Sequence, residues 1–249
     1  MKIFETHAHL DFRNFDKDRQ QLITQCKKKG IDRIINIGID RETSLNSIKM
    51  ANKYDTVYAS VGYHPHDAKD YSKDKIIDLL NKEKVVAVGE IGLDYYRNKS
   101  PKEIQKKAFE EQIKLALKAN LPIIVHDRDA HEDCLNILGK YNPEKVVFHC
   151  FAGNEKIAER IIDKNWMISF TGTVTFKNSK MDNVVRMVPK ENFFVETDSP
   201  YLTPHPHRGK RNSPLYLRYI IEKIAELKGI PPKIIAEQAY KNAEDFFGV

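Results

Sequence analysis

Apolar positions along the chain follow two spacings that alternate. Short runs rich in β-branched and aromatic residues, such as Val85-Val86-Ala87-Val88 and Ile123-Ile124-Val125, give way to longer stretches whose apolar residues recur three and four apart. The first spacing belongs to buried strands, the second to amphipathic helices. Strands are predicted over Lys2 to His7, Arg33 to Ile37, Val57 to Gly62, Val85 to Glu90, Pro122 to His126, Val146 to His149, Met167 to Phe170 and Phe193 to Glu196. Helices are predicted over Asp16 to Lys29, Arg41 to Lys53, Ser72 to Asn81, Pro101 to Ala119, Ala130 to Lys140, Glu155 to Lys164, Met181 to Val188 and Leu215 to Lys228. This α/β alternation predicts a (β/α)8 TIM barrel. The Pro231-Pro232 break introduces an extra C-terminal helix, Pro231 to Phe247, expected to pack on the outside. An open doubly wound sheet alternates in the same way, but commonly carries a glycine-rich loop after its first strand. Here that strand runs into His7-Ala8-His9-Leu10-Asp11.

A length of 249 residues suits one such barrel, and no Gly/Ser linker or internal repeat divides it, so a single domain over 1–249 is expected, working as a monomer. Cys26, Cys134 and Cys150 are odd in number and never spaced as Cys-x-x-Cys. That argues against a disulfide framework or a thiolate zinc site, and for a reducing compartment. The segment Met1 to His7 lacks the apolar stretch of a signal peptide, and no segment approaches the roughly 18 consecutive apolar residues of a membrane span. A cytoplasmic protein with no membrane partner is expected. The net charge of +6 would help draw in an anionic substrate, although most lysines fall on predicted helices, where a solvated face explains them.

Candidate chemistry gathers at the C-terminal ends of the predicted strands. Both imidazoles of His7-Ala8-His9 share one strand face. Glu90, His126, His149 and Asp198 each stand at or just past the end of another apolar run. Barrels of this kind assemble their active sites from those ends. Four imidazoles and two carboxylates can hold two divalent cations if one carboxylate, Glu90, bridges them. His7, His9 and Asp198 would hold one ion, and His126 with His149 the other. A water shared by the ions would be the nucleophile, with Asp198 accepting its proton. The donor set admits zinc, manganese, nickel, iron or magnesium without selecting among them.

These residues resemble the TatD family of metal-dependent deoxyribonucleases, within the wider amidohydrolase-like group of metal barrels. The motifs that carry the resemblance are Phe4-Glu5-Thr6-His7-Ala8-His9-Leu10-Asp11, Val61-Gly62-Tyr63-His64-Pro65-His66 and Gly89-Glu90-Ile91-Gly92-Leu93-Asp94-Tyr95-Tyr96. They continue in Pro122 to Ala130, His149 to Gly153, Glu196 to Leu202 and Arg208 to Asn212. By that resemblance the metal ligands are His7, His9, Glu90, His126, His149 and Asp198, and the substrate is a DNA phosphodiester cleaved from 3′ to 5′. Glu5 stands where the family usually has Asp, and is expected to point inward and orient a ligand. Glu90 stands where many amidohydrolase-like enzymes carry a carboxylated lysine, which favours the nuclease branch.

Around the metal ligands, His64 is expected to hydrogen-bond a phosphate oxygen and Arg208 to grip phosphate with its guanidinium fork. His66 is expected to be exposed and structural, and Lys210 and Arg211 to lie on a solvated loop. Tyr95, Tyr96, Phe151 and Tyr201 have the chemistry to stack a base but are read as core or rim packing. His131, His205 and His207 are left unassigned. Two other functions fit the same residues: hydrolysis of an amide, ester or lactone, and a nucleic-acid-binding protein whose site is vestigial.

Overall fold

The computed structural model describes residues 1–249. Its strands are β1 (Ile3–Ala8), β2 (Ile31–Asn36), β3 (Val57–Val61), β4 (Val85–Asp94), β5 (Ile123–Arg128), β6 (Val146–Phe148), β7 (Met167–Phe170) and β8 (Phe193–Val195). They lie side by side in chain order, every neighbouring pair parallel. Just past β8 the chain rejoins β1: His9 N donates to Ser199 O at 2.8 Å and Asp198 N to His7 O at 3.0 Å. The result is a nearly closed, TIM-barrel-like cylinder. Flanking helices are α1 (Arg19–Lys28), α2 (Arg41–Lys53), α3 (Lys102–Ala119), α4 (His131–Tyr141), α5 (Glu155–Ile162), α6 (Asp182–Met187), α7 (Leu217–Lys228) and α8 (Pro232–Phe247).

Local chemistry sets several of these boundaries. Asp40 and Thr43 form a reciprocal capping box at the start of α2. Asn120, Asn142, Gly229 and Gly248 end α3, α4, α7 and α8 in the left-handed conformation that favours Asn and Gly. Strand β4 runs four residues beyond its predicted end. Gly92 allows this: at φ 142° its missing Cβ would meet the His126 carbonyl at 2.0 Å, so only glycine lets β4 and β5 stay paired.

Strand alternation divides the core in two. Ile123, Val125, Val146, Phe148, Phe193 and Val195 face outward to α3 and α7, into a cluster that includes Phe109, Ile113, Ile220 and Ile224. Ile124, Val147 and Phe194 face inward, with Phe4, Ile35 and Met167.

One expectation fails and another is extended. The helix predicted over Ser72 to Asn81 is a 3-10 turn, Lys73–Lys75, followed by further turns. Ile76, Leu79 and Leu80 still reach the core, but Arg41 donates to the carbonyl of Lys75, the acceptor an α-helix would offer to Leu79 N. Leu79 N turns to Ile76 O instead, at 2.9 Å. Helix α8 packs on the outside as expected, with Ile235, Ala236 and Ala239 in the outer cluster, and it also closes the floor of the barrel. Its Tyr240, Phe246 and Phe247 cover the inward apolar layer from below, with ring centroids 6.0 Å apart for Phe4–Phe247 and 5.2 Å for Phe194–Phe246. That layer would otherwise meet water, and burying it against aromatic rings is worth about 25 cal/mol per Å2. No helix is long and apolar enough to cross a membrane.

Candidate metal centre

At the opposite end, the six predicted ligands meet. Glu90, on β4, is the hub. Its Oε2 lies 3.5 Å from His7 Nε2 and 3.9 Å from His9 Nε2, while its Oε1 lies 2.6 Å from His126 Nδ1 and 2.9 Å from His149 Nε2. Asp198 Oδ1 completes one side, 3.4 Å from His9 Nε2 and 3.7 Å from His7 Nε2. Asp198 adopts a left-handed conformation at φ 54°, where aspartate is better tolerated than most residues, and the turn brings its carboxylate beside the two imidazoles. Three groups, two of them sharing His7, have donor atoms close enough to share an ion: His7, His9 and Asp198; His64, Glu90 and His126; and His7, His149 and Glu196.

Burial shapes the charges here. Burial opposes ionisation of Glu90, yet His149 and His64 hold it well below the usual carboxylate range. Burial likewise opposes a charge on His149, but Glu90 and Glu196 raise it well above the ordinary imidazole value. His64 goes the other way, lowered by burial and by His126.

The residues fit divalent cations on the chemistry of unpaired atoms. His7 Nδ1, His7 Nε2 and His9 Nδ1 are buried without any hydrogen-bond partner. A buried polar nitrogen left so costs about 1–3 kcal/mol, and neutral imidazole nitrogens are good ligands for zinc-like ions.

Partners behind the ligands aim them. Glu196 Oε1 lies 3.2 Å from His149 Nδ1 and accepts from Cys150 N at 2.7 Å, which leaves His149 Nε2 facing Glu90. Asp94, fully buried on the extended end of β4, lies 3.3 Å from His126 Nε2 and 2.8 Å from His66 Nε2. Glu196 and Asp94 were not singled out from the sequence. The first had a legible signal, since Glu196-x-Asp198 repeats the one-face spacing of His7-x-His9. The second depended on β4 running past its predicted end.

Other expectations change in detail. Glu5 is buried, but it accepts from His7 N at 3.2 Å, Thr197 N at 2.9 Å and Thr197 Oγ1 at 2.6 Å, so it holds the backbone of two ligand-bearing segments rather than an imidazole. Burial pushes its carboxyl up to about 8. His66 is less exposed than expected: its side chain is 22% accessible and pairs with Asp94. Arg211 is not free on its loop either, but pairs through both terminal nitrogens with Asp18, at 2.8 and 2.6 Å.

Arg208, exposed on the loop after β8, lies 3.8 Å from the centroid of the Phe176 ring and donates to Thr203 O. Of the aromatic residues, Phe151 is buried and Tyr95 donates to Asp133, whereas Tyr96 and Tyr201 are 60% and 54% exposed. His131 pairs with Asp127 at 2.6 Å, His207 with the Tyr219 hydroxyl at 2.9 Å, and the backbone N–H of His205 donates to Thr175 at 2.9 Å.

The family model described as TatD related DNase matches residues 4–248. The chain belongs to the TatD family. A relative described as a metal-dependent hydrolase, YabD of Bacillus subtilis, is 44% identical, with 99% of each chain covered. The 3′-5′ ssDNA/RNA exonuclease TatD of Salmonella typhimurium is 33% identical, again over 99% of each. Among solved structures, the TatD homologue YjjV of Escherichia coli superposes with a TM-score of 0.94 at 30% identity, covering 99% of this chain and 98% of that one. Together with the donor clusters, this makes the chain a TatD-family metal-dependent hydrolase.

Proposed function

We propose that this hydrolase is a deoxyribonuclease that removes nucleotides from the 3′ end of DNA, using two divalent cations. The observation that carries the reading is the convergence of His7, His9, His126 and His149 on Glu90, with Asp198 beside His7 and His9 and with His7 Nε2, which faces both carboxylates, buried and unpartnered. The description of the family model and the activity named for the Salmonella relative support the choice of phosphodiester over amide, ester or lactone. Residues 1–249 act as one catalytic domain, a closed (β/α)8 barrel.

His7, His9 and Asp198 would hold one ion, His126 and His149 the other, with Glu90 shared. Zinc, manganese, nickel, iron and magnesium all remain candidates. Bound there, the ions supply charge that polarises the phosphoryl group and acidifies water. The remaining chemistry falls to side chains. Asp198 is the more open carboxylate, 14% accessible against 5% for Glu90, so water arriving through the mouth meets it first and Asp198 takes the proton. His64 Nδ1 accepts from His66 N at 3.1 Å, which puts the ring proton on Nε2. That N–H, 3.5 Å from Glu90 Oε1, is the donor we assign to a phosphate oxygen at the centre. Arg208, held by its stack on Phe176, offers its fork to a backbone phosphate.

The test is cleavage of end-labelled DNA oligonucleotides by the purified protein with each ion added back, beside a panel of small amides, esters and lactones. Stepwise loss from the 3′ end supports the proposal. Turnover of a small amide, ester or lactone with DNA untouched rejects it.

A further inference from the structure

Strands β4 and β5 stay paired past the residues that carry the ligands: Gly92 faces His126, and Asp94 faces Arg128. His126 and Arg128 are two residues apart on β5 and so share a strand face, with Arg128 roughly 7 Å nearer the rim. Arg128 is exposed, and its guanidinium carbon lies 4.1 Å from the centroid of the exposed Tyr96 ring. Arg97 reaches the same ring at 5.6 Å.

Three nearby carboxylates are engaged elsewhere, while Asp129, next to Arg128 in the chain and turned into the left-handed region at φ 55°, is exposed and makes no ion pair with it. Asp94 is taken by His66, Asp127 by His131 at 2.6 Å, and Asp133 by Tyr95 at 2.6 Å and Lys106 at 3.0 Å. Both guanidinium groups are left without an ion pair, on an aromatic ring that faces solvent. Tyr96 lies against the Arg128 guanidinium, whose N–H groups make no hydrogen bond within the chain and so are left for two phosphate oxygens. Arg208 on Phe176 repeats the arrangement on the loop after β8.

We propose that Arg128, laid on Tyr96 one strand repeat beyond His126, clamps a backbone phosphate of single-stranded DNA next to the scissile one. This rests on the nuclease reading above. It makes the preferred substrate an extended strand rather than an isolated phosphodiester. Tyr96 is a positioning residue, acting through the plane of Arg128.

The experiment compares Arg128→Ala, Arg128→Lys, Tyr96→Ala and Tyr96→Phe with the wild-type holoenzyme, on single-stranded oligonucleotides of increasing length and on an aryl phosphodiester. Circular dichroism checks that each variant is folded. For oligonucleotides, KM should rise on the order of tenfold in Arg128→Ala and Tyr96→Ala, with kcat and aryl ester turnover nearly unchanged. Tyr96→Phe should restore wild-type KM, because the ring remains, whereas Arg128→Lys should not. The salt dependence of oligonucleotide binding should flatten by about one phosphate contact in Arg128→Ala.

Equal losses on oligonucleotide and aryl ester, or no change on either, would overturn the clamp. Cleavage by the wild type with Arg128→Ala unchanged at every length leaves the nuclease and removes the clamp. Wild-type binding without cleavage, weakened in Arg128→Ala, leaves the clamp and removes the nuclease. With neither binding nor cleavage, both fall.

Discussion

At the lower end of the barrel, Phe4 and Phe194 meet Phe246 and Phe247 of α8, and the apolar layer is sealed. At the upper end, His7 and His9 are as deeply buried, yet three of their ring nitrogens have no partner. The same strands build both ends. At the lower end rings pack on rings and one buried polar atom, the Tyr240 hydroxyl, goes unpaired, while the upper end keeps three unpaired imidazole nitrogens beside crowded charges that packing alone would not select. Stability is concentrated below and chemistry above, a division that this class of fold permits because strand ends are independent of strand middles.

The largest expected effect is at the upper end. Asp198→Ala should lower metal-dependent cleavage on the order of a thousandfold or more while thermal unfolding changes little, as steady-state kinetics and calorimetry would show. The mirror experiment is Phe247→Ala, expected to cost about 3–5 kcal/mol in denaturant unfolding and leave kcat per folded molecule intact. A large kcat loss in Phe247→Ala would break the division. Chelation should destabilise the protein, and restoring an ion at about a hundred times its Kd should return about 2.7 kcal/mol, by the same amount in wild type and Phe247→Ala. Glu196→Gln should weaken metal binding roughly 10- to 100-fold by freeing His149, measurable by calorimetric titration. The smallest effect belongs to Arg211→Ala, where an exposed pair with Asp18 is lost and less than about 1 kcal/mol of stability should follow.

Much of this contrast was legible in residue spacing. The alternation in Ile123-Ile124-Val125-His126 carries both the barrel wall and a ligand at its end, and β7 and α2 fall on their predicted bounds. What escaped depends on long-range contacts. Arg41 captures a carbonyl of the Ser72 to Asn81 segment from another element, and nothing within that segment announces it. The periodicity of α8 says which face is apolar but not which surface will receive it. Asp94 becomes a partner of His126 only because Gly92 lets two strands continue together. Strand-end logic singled out the side chains that meet around Glu90, whereas the tautomer of His64 follows from a backbone N–H two residues on, a contact visible only in three dimensions.

The decisive measurement is the metal content of the protein, by mass spectrometry after equilibration with each candidate ion, in wild type and Glu90→Ala. Two equivalents per chain in wild type, falling to one or none in Glu90→Ala with the fold retained, is the predicted result. A wild-type chain that binds no divalent ion, or a Glu90→Ala chain that still binds two, would contradict a shared metal centre at the upper end of the barrel.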